Sequence, residues 1–323
     1  MPETAPHELQ TLVDELYDKH RTNDEGHVAT YIPELSKVCP DEFGMCVVAA
    51  NGLVFEAGAC DRLFTIQSIS KPFTFALAMD EFGAEKVLEF VGVEPSGDAF
   101  NSIELHGLTN RPFNPMINTR AITVTAMLHA RHGERTFAHI LERFSTIAGR
   151  PLSVDEDVYE SERRTGHRNR AIAHLLLNFG VVHQEIEAAL DVYFRQCSIL
   201  VTARDLAMMG ATLSNMGRNP MTNDSAFSVR HVKDILSIMF TCGMYDYSGH
   251  WAYRVGVPAK SGVGGGVIAV VNRQLGISTY SPRLDRYGNS CRGTAVCVEL
   301  ASQLGLHVFD CLNVGSRFLD AIL

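Results

Sequence analysis

The sequence predicts a mixed α/β (α+β) fold, with an antiparallel sheet flanked by helices and an all-helical lobe beside it. Three observations predict it. Apolar runs on either side of Asn51-Gly52 have the signature of a β-hairpin near the N-terminus. Helical periodicity then dominates from about residue 72 to 242. Strand character returns in Val267-Ile268-Ala269-Val270-Val271 and Leu275-Gly276-Ile277-Ser278-Thr279. A sheet built from both chain ends, with the helical block inserted, accounts for that order. The expected organisation is one catalytic domain spanning residues 1–323. Its sheet lobe comes from about 1–75 and 245–323, and its helical lobe from about 76–244.

The elements follow in order. Leu9, Leu12, Val13, Leu16 and Tyr17 form a helical stripe. Met45-Cys46-Val47-Val48 and Leu53-Val54-Phe55 are the hairpin strands, and Asn51-Gly52 favours a tight type I′ turn. Candidate helices span 72–82, 121–132, 135–148, 168–179, 184–197, 202–216 and 228–241. Thr202 followed by Asp205 reads as a weak capping box. Connections such as Glu94-Pro95-Ser96-Gly97-Asp98 and Asn110-Arg111-Pro112-Phe113-Asn114-Pro115 are rich in turn residues. Asn272-Arg273-Gln274 is a short turn, and residues 289–304 read as a final helix. A cleft between two such lobes is a usual place for a small-molecule site.

Composition narrows the function. With 46% hydrophobic and 20% charged residues, a well-packed core is available without help from an oligomer. A net charge of −9 opposes binding to nucleic-acid phosphates or to an anionic membrane surface. A small neutral or zwitterionic substrate fits better. The eight cysteines include no C-x-x-C pair and read as free thiols of a reducing cytoplasm. No run approaches the roughly 20 apolar residues of a membrane span.

The sharpest local feature is Gln67-Ser68-Ile69-Ser70-Lys71-Pro72-Phe73. If a helix begins near Ser68, Ser68 and Lys71 share a face within hydrogen-bond reach. A serine hydroxyl needs a base, and a desolvated lysine can be one. Ser70 is a poorer candidate because Phe73 lies three residues on. The structural rival is a capping serine with a solvated lysine, since S-x-x-K alone is a weak signal. A second feature is Lys260-Ser261-Gly262-Val263-Gly264-Gly265-Gly266, before a strand. Lys-Ser-Gly resembles the K-T-G element of the serine penicillin-recognising hydrolases. Its glycines allow close backbone approach, and the Val263 amide could donate to an oxyanion. The rival is a plain glycine-rich turn.

Taken together, the motifs resemble those of the serine-dependent glutaminases. The residues carrying the resemblance are Tyr31-Ile32-Pro33-Glu34-Leu35, Phe64 to Pro72, Val93-Glu94-Pro95-Ser96-Gly97 and Asn114-Pro115-Met116-Ile117-Asn118. They continue with Glu160-Ser161-Glu162-Arg163, Gly166-His167-Arg168-Asn169, Tyr193 to Ser198, Cys242-Gly243-Met244-Tyr245-Asp246 and the loop from Lys260 to Gly266. The resemblance implies a β-lactamase/transpeptidase-like fold and hydrolysis of L-glutamine to L-glutamate and ammonia through an acyl-enzyme. It implies Ser68 as nucleophile, Lys71 as base and Tyr245 as proton carrier. Tyr31, Asn118, Glu162, Asn169 and Tyr193 would hold the substrate, with Val263 and Ser68 amides at the oxyanion. Glu162 would face the substrate ammonium and the asparagines its carboxylate. A homodimer or homotetramer in the cytoplasm is implied, with no metal or organic cofactor.

Each role has a plainer rival. Glu162 could lie on a solvated charged face, Asn118 could cap a helix, and Tyr193 could be core. Two motifs depart from the family pattern. Asn118-Thr119-Arg120-Ala121 stands where Asn-Ala-Gly-Ala is usual, and Leu200 stands where glutamate is usual. Arg120 either disturbs the local backbone or brings a cation near the substrate carboxylate. His129 and His132 have helical spacing but no evident partner ligand, so a metal enzyme is disfavoured. Cys197 and Cys242 lack an evident histidine for a cysteine hydrolase, and no P-loop is present. Two alternatives remain: a β-lactam or D-alanyl-peptide hydrolase of the same fold, and a catalytically impaired amino-acid-binding relative.

Overall fold

The computed structural model describes residues 4–95, 114–182 and 185–310. Ser96, Gly97 and Asp98 of one expected loop, residues 110–113 of the other, and Cys311 lie outside them. Helix α1 (Thr4–His20) buries Val13 and Leu16 of the expected stripe and packs on the N-terminal hairpin. That hairpin consists of β1 (Gly44–Ala49) and β2 (Val54–Gly58), with Val48 opposite Val54.

The hairpin turn is not the expected type I′. Such a turn needs positive φ at both central residues. Within the loop Gly52 alone has it, at +90°. Ala49 accepts from the Gly52 amide at 2.9 Å and donates to Leu53 O at 2.8 Å, so the loop is Ala50-Asn51-Gly52. Asn51 avoids the left-handed region because its side-chain oxygen accepts from the Leu53 amide at 3.2 Å.

Next come β3 (Phe64–Thr65), a single 3₁₀ turn over Gln67–Ile69, α2 (Ser70–Phe82) and α3 (Ala84–Phe90). The helical block continues with α4 (Asn118–His132), α5 (Thr136–Ala148), β4 (Ser153–Val154), α6 (Glu156–Thr165), α7 (His167–Asn178) and α8 (Ile186–Cys197). Then follow β5 (Ile199–Val201), α9 (Ala203–Ser214), α10 (Val229–Cys242) and α11 (Ser248–Arg254). The chain returns to the sheet through β6 (Ala259–Ser261), β7 (Gly266–Val271) and β8 (Leu275–Tyr280), and then forms α12 (Cys291–Leu304). All seven helices expected between residues 72 and 242 are present, each end within three residues of its expected place. Helix α6 escaped notice because the charged run Glu160-Ser161-Glu162-Arg163-Arg164 hides its buried residues Val158 and Tyr159. Strands β3, β5 and β4 form a small antiparallel sheet, too short for alternation to show.

The main sheet has five antiparallel strands in the order β2-β1-β8-β7-β6. Its interior strand β7 is buried throughout because both faces are covered. Val267, Ala269 and Val271 join the core beneath α1 and α12, while Ile268 and Val270 join the core of α2, α9 and α10. Helix α9 lies across β8, β1 and β7. Its approach requires glycine: a Cβ on Gly276 would sit 2.2 Å from the Ala211 nitrogen. The capping box at its start is formed in both directions between Thr202 and Asp205. We propose the two-lobe division as the working description, with α9 joining the lobes. No helix among the described residues is long and apolar enough to cross a membrane.

Candidate active site

A short stretch of strained backbone positions Ser68. The Ile66 amide donates to Ile199 O at 2.8 Å, tying the turn to β5. Gln67 then takes a φ of +49°, and Tyr245, whose side chain meets Ser68, takes +54°. A non-glycine residue rarely adopts this region, and such strain concentrates at functional sites. Ser68 is 8% exposed at the edge of a cavity of about 230 Å³. The Tyr245 hydroxyl donates to Ser261 O at 3.0 Å and also bonds the Ser68 side chain, so its oxygen is the acceptor facing Ser68. Burial pushes the Tyr245 phenol well above its ordinary value and keeps it neutral.

Lys71, in the first turn of α2, is 1% exposed. Burial pushes its ammonium down to about 8, against the raising effect of Cys197 and Glu162. Its Nζ donates to Met116 O at 3.0 Å and to Asn118 Oδ1 at 2.7 Å. The expected direct bond to Ser68 is not among the hydrogen bonds of the described residues.

Asn118 opens α4 but does not cap it. The N-cap is Ile117, and the Asn118 side chain points into a polar chain. Its Oδ1 also accepts from the Tyr193 hydroxyl at 3.3 Å, and its Nδ2 donates to Asn169 Oδ1 at 2.9 Å. Tyr193 therefore satisfies both readings, its ring in a core cluster and its hydroxyl on the cavity wall.

Glu162 is not on a solvated face. It is 6% exposed, and its Oε2 has no hydrogen-bond partner. Burial pushes its carboxyl up to about 8, against a lowering by Lys71. The Tyr31 ring is largely exposed, yet its hydroxyl is sheltered near Glu162 and Tyr245 and is raised well above its ordinary value by burial. Tyr31, Ser68, Asn118, Glu162, Asn169 and Tyr193 all line the cavity. Lys71 reaches it through Asn118, and Tyr245 through Ser68.

The glycine loop packs behind the Ser68 turn, and none of its residues, Val263 included, is among those lining the cavity. A Cβ on Gly262 would lie 3.0 Å from Ile66 O, and one on Gly264 would lie 2.6 Å from Thr65 O. The loop thus presses against the turn that carries Ser68, and Val263 is buried there. Among the backbone bonds of the described residues, none is donated by the Ser68 or the Val263 amide. Backbone donors without a partner can stabilise an oxyanion, and of these two Ser68 is the one that lines the cavity. Lys260 lies beneath the site, its Nζ 4.2 Å from the Tyr245 ring centroid and donating to Gly243 O and Ser261 O at 3.0 and 2.7 Å. Burial, with Lys71 nearby, holds it well below its ordinary value.

Arg120 does not disturb the backbone around it. It sits inside α4 without a positive φ, is 1% exposed, and is not among the residues lining the cavity. Leu200 lies in β5, paired with Thr65 and Ser153. Gln67, Arg168 and Cys197 line the cavity without having been assigned to it. Arg168 stood beside Asn169 in a quoted motif, the only signal it gave. The seven described cysteines are free. Burial pushes the thiols of Cys197 and Cys242 up, which makes them poor nucleophiles.

This sheet topology, with a Ser-x-x-Lys turn at the cavity mouth, defines a hydrolase of the β-lactamase-like fold. The Glutaminase family model matches residues 26–309. The chain belongs to the glutaminase family. A glutaminase of Trichormus variabilis is 51% identical over 312 residues, covering 97% of this chain and 93% of that one. Among solved structures, the probable glutaminase ybaS has a TM-score of 0.90 at 41% identity, covering 94% of this chain and 98% of its own. A probable glutaminase from Bacillus subtilis, complexed with 6-diazo-5-oxo-L-norleucine, has a TM-score of 0.85 at 34% identity, with 93% and 96% covered.

Proposed function

We propose that this glutaminase hydrolyses the side-chain amide of L-glutamine to L-glutamate and ammonia, with Ser68 as nucleophile and Lys71 as its base. The observation that carries the reading is the cavity itself. Ser68 meets a buried carboxylate oxygen without a partner, on Glu162, across a space sized for one amino acid. That oxygen is the natural counter-charge for the substrate ammonium. Asn118 is locked by Lys71, Tyr193 and Asn169, so Asn169 Nδ2 and the Tyr31 hydroxyl are the donors that turn to the substrate carboxylate.

The lysine geometry suits a neutral amine. A neutral amine has two N–H bonds and one lone pair. Met116 O and Asn118 Oδ1 occupy the two N–H bonds, which leaves the lone pair to take the Ser68 proton once it turns from the Tyr245 oxygen it faces at rest. Ser68 Oγ then attacks the amide carbon, and the developing oxyanion takes the Ser68 and Val263 amides. The C–N bond breaks as Tyr245 gives its proton to the leaving nitrogen, which departs as ammonia, and the proton that Lys71 took from Ser68 replaces it on Tyr245. Water then attacks the resulting glutamyl ester; Lys71, neutral again, takes the water proton and returns it to Ser68 Oγ as the acyl C–O bond breaks. The cavity needs no metal or organic cofactor for these steps. A homodimer or homotetramer in the cytoplasm is proposed from the family resemblance, and light scattering of the purified chain tests the assembly.

The test is covalent labelling with 6-diazo-5-oxo-L-norleucine, followed by peptide mass spectrometry. The adduct is expected on Ser68. An adduct on Cys197, the other nucleophile on the cavity wall, overturns the assignment. The impaired-relative reading rested on Arg120, which lies off the cavity and so gives it no support.

A further inference from the structure

Helices α2 and α4 both begin at the cavity, where they carry Lys71 and Asn118, and both end at a second polar cluster. There Glu81 from α2 meets His132 from α4 and His139 from α5. Glu81 Oε2 lies 2.7 Å from His132 Nε2, and Glu81 Oε1 lies 2.7 Å from His139 Nε2. The two imidazoles stack with centroids 4.3 Å apart. The three ligand atoms all lie within 4.8 Å of one another. The sequence offered His129 as the partner of His132. The structure replaces it with Glu81 and His139, while His129 turns towards Glu185 at 3.5 Å.

We propose that Glu81, His132 and His139 form a binding site for a divalent transition-metal ion of the zinc class. Two imidazoles and one carboxylate are a donor set that suits zinc and disfavours magnesium or calcium. Bonds of about 2.0–2.1 Å to a tetrahedral ion set ligand atoms roughly 3.3 Å apart, a small adjustment from the present contacts. Each ring binds through Nε2 with its proton on Nδ1, so the ion replaces the two N–H···O bonds to Glu81. The side chains are 15–27% exposed, which leaves a fourth position open to water.

Arg131 is the competing cation, with Nε 3.3 Å from Glu81 Oε2. It has other anchors: its Nη1 donates to Glu81 O at 3.0 Å, and its guanidinium lies 5.3 Å from the Phe82 ring centroid. It can therefore stay in place while the carboxylate turns to the ion. An ion here fastens the far ends of α2 and α4 to α5. Its effect is on the rigidity of the two helices that carry Lys71 and Asn118, with no part in the chemistry.

The experiment uses the full chain, stripped with a chelator and titrated with Zn²⁺ alone by calorimetry and with Co²⁺ alone by visible absorption. One site per chain is expected. Co²⁺ should give the d–d bands of a low-coordinate, imidazole-bound ion, and Zn²⁺ should raise the Tm by about 2–4 °C. His139→Gln changes only a half-exposed face of α5. It should weaken binding by at least about 10-fold while leaving the circular dichroism unchanged. Glu81→Gln should do the same, and His129→Ala should bind as the parent does. Absence of stoichiometric binding in the parent, or parental affinity in a folded His139→Gln, overturns the proposal.

Discussion

Two buried carboxylates show how differently this fold treats the same chemical group. Asp205, in α9, is 4% exposed, and every part of it is used. Its Oδ1 accepts from Arg150 Nε at 2.7 Å, and its Oδ2 accepts from Arg150 Nη2 and from the Thr202 amide. Glu162, in α6, is 6% exposed and keeps an oxygen with no partner. A buried charge without a partner is costly, so an architectural carboxylate is satisfied within the chain. One left unsatisfied beside a cavity is held for a ligand. Asp205 fastens the joint between α9 and its neighbours, and Glu162 is the proposed partner of the substrate ammonium.

The largest expected effect concerns Lys71, the proposed base. Lys71→Ala should reduce kcat by at least about 10³-fold while the far-UV circular dichroism stays that of the parent. Near-parental turnover would remove Lys71 as the base. Glu162→Gln should raise KM by about 30-fold or more, because the substrate ammonium loses its charged partner. Its Tm should stay near the parent's, since without substrate burial keeps Glu162 largely uncharged below about pH 8. Asp205→Ala should behave in the opposite way. It should lose about 2 kcal/mol of stability, from a broken cap and a half-exposed ion pair. The kcat/KM of its folded molecules should stay near the parent value. If both variants changed KM alone, or stability alone, the distinction between the two carboxylates would fail.

The pH profile sharpens the same contrast. Burial disfavours the charged form of Lys71, so the active neutral amine is populated as pH rises through about 8. The rate kcat should therefore climb with pH and level off above that value. Glu162 raises the Lys71 value, so Glu162→Gln should move the acidic limb to lower pH. A limb that stayed in place would separate the two groups electrostatically. The smallest effect belongs to the hairpin. Gly52→Ala places a side chain at a φ of +90° and should cost about 1 kcal/mol with no change in turnover.

Elements with a long, regular period were legible in the sequence. Seven helices of the central block and the apolar strands β1, β7 and β8 could be placed because their burial patterns run over many residues. Helix α6 was hidden because only a few of its residues face inward, and Glu162, its key polar residue, is one of them. The turn at Asn51-Gly52 was misread because the dipeptide also suits a three-residue loop, and nothing local reveals the extra residue. At the site, residue types and order were visible, but distances were not. The positive φ values of Gln67 and Tyr245 come from packing around Ser68, which no spacing encodes. The pairing of Lys71 with Met116 and Asn118 arises because α4 begins where α2 begins, a tertiary fact. The meeting of Glu81 with His139 arises the same way at the other ends of the helices.

The most direct test of the catalytic account is ammonia release from L-glutamine by Ser68→Ala, measured beside the parent at equal concentrations of folded protein. Loss of a single hydroxyl should lower turnover by at least about 10³-fold while leaving glutamate binding to the cavity intact. Turnover within tenfold of the parent would contradict the claim that this oxygen attacks the amide.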